Sequence, residues 1–354
     1  MPVTRITGWL VPPSAEVRDS ALRLPADAGS FARAFADFPA LHEIEQVPPL
    51  RALPPPAQSA RIVFWNAERL KYGPASARLL ASLAADAILL AEVDLGMARS
   101  GNGHTTAELA RALGAGWIFG AEFVELGLGD ARERAWHAGQ RNEGGLHGNA
   151  ILSRCALARP AMLRLETSGR WFDGTFGERR IGGRMALMAE LEVAGTSVLL
   201  VSVHYESHTG PADRLAQTRV LLDGIEAHAP GRPVLIGGDF NTSSFTLEQK
   251  RDPAFVVRAL DEEPARLLSP EAHEPMFGLL AERGFAWRSC NEAGAVTQRT
   301  RPDGTPTPPF GRIDWLFTRG LRCSAPATIA ATDEEGRAIS DHEALAVTIA
   351  PDRP

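Results

Sequence analysis

The chain has 354 residues, 44% of them hydrophobic, and a formal charge of −6. That length suits one α/β catalytic domain of about 250–300 residues with an extension, and the composition lies far from the disordered range. No run of about 18 apolar residues occurs, which excludes a membrane-spanning helix, and the start, MPVTRITGWLVPPSAEV, lacks the basic and apolar regions of a secretory signal. The three cysteines, Cys155, Cys290 and Cys323, are widely spaced. They form no zinc pattern or disulfide framework, so a reducing cytoplasm is expected. The negative charge argues against a protein dedicated to nucleic acid without excluding one, since phosphate binding draws on surplus Lys and Arg.

Residues 1–57 contain VPPS, VPPL and LPPPAQ. Proline at that density breaks regular structure, so this stretch reads as an N-terminal extension with one helical segment, Ala32 to His42. The catalytic domain is expected over 58–354. Short apolar runs begin at Arg61: RIVFWNA, then AILLAEV at 87–93, GNAILSR at 148–154, ALMAELEVA at 186–194 and SVLLVSVHYE at 197–206. PVLIGGDFN at 233–241, RIDWLFTR at 312–319 and HEALAVTIA at 342–350 follow. Such runs suit buried strands. Helical patterns fall at Ala75–Ala85, Thr105–Leu113, Pro211–His228 and near Glu274–Glu282. The expected fold is α/β, two packed mixed sheets with helices outside. The stretches 125–147 and 291–311 read as loops.

The chemistry-bearing residues sit where these runs end: Asn66, Glu92, His204, and Asp239 with Asn241. Asp314 lies inside its run, and Asp341 and His342 stand where the last begins. One polar strand end is commonly a cap or turn; six drawn from Asp, Glu, Asn and His point to a site at converging strand ends. Asp239 and Asn241, two apart, share a face in an extended segment. Carboxylate and amide oxygens are hard donors suited to Mg2+, with Mn2+ the alternative.

The ordered strings Trp-Asn-Ala-Glu (65–68), Ala-Glu-Val-Asp (91–94), Gly-Asn-Ala-Ile-Leu-Ser-Arg (148–154), Val-His (203–204), Gly-Asp-Phe-Asn (238–241), Arg-Ile-Asp-Trp (312–315) and Ser-Asp-His (340–342) resemble the endonuclease/exonuclease/phosphatase superfamily. The resemblance runs from Arg61 to Ile349. It implies a four-layer α/β sandwich with the site at one edge of two packed sheets. It further implies a metal carboxylate at Glu92, helped by Asn66 and Asp341, with Glu68 where many members have an Asp near the metal. By the same resemblance Asp239 orients or deprotonates the attacking water, Asn241 positions a non-bridging oxygen and His342 holds the scissile phosphate. Asp314 fixes the His342 tautomer, and His204 contacts the phosphate or assists the leaving group.

Asn149 and Arg184 are weaker substrate-binding candidates. Arg179, Arg180 and Arg184 read by default as a solvated basic loop that could also grip phosphate. His208 reads as lid or surface, and Asn102 and His104 as a turn before a helix. Trp136, Trp171 and Trp287 fall in or beside loops, where burial is commoner than base stacking. The expected activity is Mg2+-dependent hydrolysis of a small or lipid-derived phosphoester; a DNA or RNA nuclease and a non-catalytic binding module of the same fold are the alternatives.

Overall fold

The computed structural model describes residues 2–300 and 306–352, with backbone alone at 299, 300 and 306–310. Two sheets dominate. The first runs, edge to edge, Ile6–Thr7, Ile44–Val47, Gly116–Glu125, Leu146–Ser153, Ala87–Leu95, Ala60–Asn66, Ala344–Pro351 and Leu321–Ile329, with Arg180–Gly182 also paired to Gly116–Glu125. The second runs Asp314–Arg319, Val234–Asp239, Thr196–His204, Met185–Val193 and Leu157–Arg164.

Alternation along the strands builds three apolar layers. Ile62, Phe64 and Leu89 meet Leu187, Leu200 and Leu235 between the sheets. Val63, Trp65 and Leu90 face outward against Leu80 and Leu109 of the helices Gly73–Ser82 and Thr105–Leu113. On the other side Val201 and Ile236 pack on Leu221 and Ile225 of the helix Pro211–His228 and on Phe277 of Met276–Glu282. The result is a four-layer α/β sandwich. Gly237 permits the sheets to approach, because a Cβ there would lie 2.8 Å from Cβ of Phe64 in the facing sheet. The close neighbour is thus the opposing sheet rather than a substrate.

Within residues 1–57, Ile6–Thr7 pairs in parallel with Ile44–Val47, which pairs with Gly116–Glu125. The intervening chain forms helices Ala15–Leu22 and Ala28–Asp37, and Leu10, Phe31 and Leu41 enter the first outer core. Arg18 donates to the Gly144 carbonyl (2.9 Å), tying this segment to the strand Leu146–Ser153.

Both loop expectations are corrected. The stretch 125–147 contains the helix Ala131–Trp136, started by a reciprocal cap between Asp130 and Glu133, and its last two residues already belong to a strand. The stretch 291–311 carries a two-stranded ribbon, Gln298–Thr300 against Pro306–Gly311, while 301–305 lie outside the described residues. The strands Gly116–Glu125, Leu157–Arg164 and Leu321–Ile329 and the helix Pro253–Glu262 carry no expectation from sequence. No helix among the described residues is long and apolar enough to cross a membrane.

Candidate active site

Two parallel strand pairs, Ala60–Asn66 with Ala87–Leu95 and Thr196–His204 with Val234–Asp239, bring their C-terminal ends to one edge of the sandwich. In the second sheet the register sets His204 opposite Asp239 and Asp239 opposite Asp314, a row across three neighbouring strands. In the first sheet a register irregularity between Leu90 and Val93 frees Glu92 from the ladder, and Glu92 takes φ +55°. Glu68, Arg69 and Leu70, just beyond Asn66, are left-handed at +41°, +68° and +55°, and Asn241 at +49°. Such conformations are costly outside glycine and cluster where a site over-determines them.

The Ser-Asp-His turn is pinned to this edge. Ser340 Oγ donates to the Asn66 carbonyl (2.8 Å), and the His342 amide donates back to Ser340 Oγ (3.1 Å). Trp65 Nε1 donates to the His342 carbonyl (3.0 Å). The His342 ring is then held through Nδ1 by Asp314 Oδ2 at 2.9 Å, with Nε2 3.8 Å from Asp239 Oδ2. Burial works against its charged form, but Asp314, Asp341 and Asp239 outweigh it and hold His342 well above the usual histidine range. His204 Nε2 lies 3.6 Å from Asp239 and 3.9 Å from Glu92. Asn241 donates its amide to Asp239 Oδ1 (3.0 Å) and its side chain to the Tyr205 carbonyl (3.1 Å).

The carboxylates here divide by neighbour. Burial opposes charge on Glu92, but Arg69, Nη1 to Oε2 at 2.6 Å, together with the site histidines, holds it well below the carboxylate range. Asp239 is pushed up by burial and by Asp314, Asp341 by burial and by Glu92, and Glu68 to about 7 by burial and by Asp341. Asn66 turns Nδ2 to Glu92 (3.2 Å) and Asp239 (3.0 Å), while its Oδ1 accepts from the Glu68 amide.

Hard oxygen donors crowded beyond what nearby cations neutralise fit a divalent metal. The tightest set of ligating atoms among the described residues is Asp239, Asp314 and His342, all within 4.8 Å. Asp314 is already engaged there by the His342 ring. Glu92, Asp341 and Glu68 add carboxylates at the same edge, with the Asp341 amide donating to Glu68 Oε2 (3.2 Å), and Asn66 would present Oδ1 there only by turning its amide.

A cavity of about 220 Å³ opens over this edge, lined among others by Glu92, His204, Asp239, Asn241, Asp341 and His342. Its far wall brings in side chains that sequence reasoning missed or read otherwise. Arg180 is a buried ion-pair member with Glu125 (3.0 Å) and Glu178, and Arg184 lies 3.4 Å from both Glu122 and Glu206. Arg179 covers the Phe172 ring at 4.4 Å and donates to the carbonyls of Leu22 and Leu24. The reading of a solvated basic loop is therefore corrected: Arg179 is held by backbone carbonyls, and the acids that absorb Arg180 and Arg184, Glu125 and Glu122, sit on a strand without a motif. Trp171, 4% exposed, donates to Glu206 (2.8 Å) and lines the cavity with His208, which stacks on Phe176 at 4.4 Å.

Asn149 lies fully buried, donating to the Met185 carbonyl (3.3 Å), and does not line the cavity. His104 caps the helix Thr105–Leu113 and pairs with Glu45 (2.8 Å); neither it nor Asn102 lines the cavity. Trp287 packs on Phe277 and Trp136 is exposed. His147 and Arg69, on the cavity wall, went unmarked in sequence.

Fold and site together define a phosphoesterase-type α/β sandwich. Residues 63–342 match the model of the Endonuclease/Exonuclease/phosphatase family, and the chain belongs to that family, whose members are phosphoester hydrolases. Solved structures share the fold. A Beutenbergia cavernae endonuclease/exonuclease/phosphatase is 21% identical, with a TM-score of 0.58 over 83% of this chain and 72% of that one. A mannosyl-6-phosphatase of Bacteroides thetaiotaomicron is 13% identical (TM-score 0.53; 82% and 99% covered). TDP2 of D. rerio, complexed with single-strand DNA product, is 18% identical (TM-score 0.51; 82% and 98% covered). No curated protein matches the chain in sequence.

Proposed function

We propose that the protein is a Mg2+-dependent hydrolase of compact, non-polymeric phosphoesters, with residues 58–354 as its catalytic domain. The observation that carries the substrate class is the state of the cavity's arginines. Arg69, Arg180 and Arg184 each face buried carboxylates, so among the described residues they supply no surplus field to track a nucleic-acid backbone. A 220 Å³ cavity suits one phosphoryl group with a small substituent.

In this reading Asp239, whose carboxyl is raised by burial, accepts the proton of the attacking water. Asn241 fixes the Asp239 carboxylate through its backbone N–H. The His342 imidazolium, braced by Asp314, presents Nε2–H to a non-bridging oxygen, and His204 stands beside it. Glu92 and Asp341, with Glu68 behind them, would hold the metal, which when bound supplies Lewis-acid charge to the phosphoryl oxygens.

The test is turnover by purified protein with Mg2+ of 4-nitrophenyl phosphate, bis(4-nitrophenyl) phosphate and small alkyl phosphates, set against plasmid, single-stranded DNA and RNA. EDTA-sensitive hydrolysis of the small esters is expected. Rapid degradation of the polymers at low enzyme concentration would replace this reading with a nuclease.

A further inference from the structure

His147 repeats, on the other flank of Glu92, the construction that holds His342. Its strand Leu146–Ser153 pairs with Ala87–Leu95 so that His147 stands directly opposite Asp94. His147 Nδ1 lies 2.8 Å from Asp94 Oδ1, as His342 Nδ1 lies 2.9 Å from Asp314 Oδ2, and Arg99 Nη2 stands 3.1 Å from the same His147 nitrogen. Asp94 is fully buried and clamped by Arg99, with Nε to Oδ2 and Nη2 to Oδ1 both at 2.9 Å. The ring is thus fixed by a two-point ion pair beneath it. A histidine serving the core alone would have both nitrogens satisfied. Here, among the described residues, Nε2 has no hydrogen-bond partner, and the residue lines the catalytic cavity.

Its position relative to the other histidines decides what it can do. His204 and His342 both stand within 3.8 Å of Asp239, on the side where the water is activated. In-line displacement puts the leaving oxygen opposite that water, toward the wall beyond Glu92. The side chains on that wall include Arg69 and Arg180, both bound to carboxylates, and His147, whose Nε2 has no hydrogen-bond partner among the described residues.

We propose that His147 is a catalytic residue that donates its Nε2 proton to the leaving oxygen. This rests on the phosphoesterase reading above. As the water oxygen–phosphorus bond forms, one water proton passes to Asp239. As the phosphorus–leaving-oxygen bond breaks, that oxygen takes the His147 proton and departs as a neutral alcohol, leaving phosphate. Solvent then returns the proton to His147 and removes the one on Asp239.

The experiment compares 4-nitrophenyl and phenyl esters of whichever class, mono- or diester, the wild type accepts. Nitrophenolate leaves without help, whereas phenolate needs a proton. Wild-type kcat/KM is expected to differ by less than about tenfold between them, while His147→Gln loses about 100-fold on the phenyl ester and under about threefold on the nitrophenyl ester. Equal losses on both esters, or none on either, would overturn the assignment. The wild-type comparison decides even if the variant does not fold: a phenyl ester slower by more than about 100-fold refutes leaving-group protonation. A wild type inert toward both esters removes the phosphoesterase reading itself; hydrolysis with the steep dependence removes only the role of His147.

Discussion

Two groups of carboxylates stand at the cavity edge and behind its wall, and what stands beside each sets its chemistry. On the flank formed by Ala87–Leu95 and Gly116–Glu125, each acid has an arginine: Glu92 has Arg69, Asp94 has Arg99, and Glu122 has Arg184. Burial alone would neutralise these acids, yet the guanidinium charges hold all three below the usual carboxylate range. Glu125, which shares Arg180 with Glu178, is the exception and is raised by burial. At the centre, Asp239 and Asp341 have no arginine or lysine within salt-bridge distance among the described residues, and Glu68 has Lys71. All three are raised, first by burial. On the flank Asp94 and Glu122 are committed to their arginines, while Glu92 reaches the cavity and in the proposed reading would hold the metal with Asp341; the centre carries the carboxyls without an arginine ion pair among the described residues.

The largest effect should come from the centre. Asp239→Asn removes the proton acceptor and keeps the shape, so kcat should fall by about 10³-fold, within the span of a general base. Thermal unfolding should be little changed, because the buried charge removed is one that the fold disfavours. Activity within about threefold of wild type would show that Asp239 is not the base. On the flank the same logic reverses. Arg184→Met leaves Glu122 and Glu206 buried without their cation, which should cost about 3–5 kcal/mol in denaturant unfolding. A loss below about 1 kcal/mol, together with a raised KM, would return Arg184 to the substrate-contacting role considered from sequence.

The polar strand ends, Glu92 among them, were legible in the sequence and the pairing of the flank's arginines with buried acids was not, for a physical reason. Asn66, His204 and Asp239 end apolar strand runs and Asp314 lies inside one, and a polar residue in such a place is conspicuous against period-2 burial. Among the described residues those runs recovered four of the five strands of the second sheet and four of the nine of the first. Arg69 lies in a left-handed turn that no spacing rule announces. Glu122 and Glu125 sit inside Gly116–Glu125, whose run WIFGAEFVE carries no motif. Their pairing with Arg184 and Arg180 is long-range, since Arg180 arrives on the strand Arg180–Gly182 and Arg184 just after it. His147 stands at the start of a strand beside the Asn149 motif without a signal of its own, and Asp94 as its partner needed the cross-strand register.

The smallest effect tests the centre as a cation site by its protons. Glu68 sits at about 7 against an ordinary 4.5, facing Asp341, Lys71 and Arg69, and Asp341 is raised beside His342 and Glu92. A carboxyl raised in the folded state contributes stability that is complete below its unfolded value and lost as pH rises through the folded one. Without metal, these groups should therefore weaken the fold between about pH 4.5 and pH 7. Mg2+ competes with the same protons, so its affinity should rise with pH. For one group near 7, apparent affinity should gain about tenfold between pH 6 and pH 8, worth about 1.4 kcal/mol. Thermal shift at fixed subsaturating Mg2+ reads this directly, with a larger gain in Tm at pH 8 than at pH 6. Equal gains at both would mean that the cation bypasses Glu68 and Asp341 and rests on Glu92, the one carboxylate of the set that Arg69 already keeps ionised.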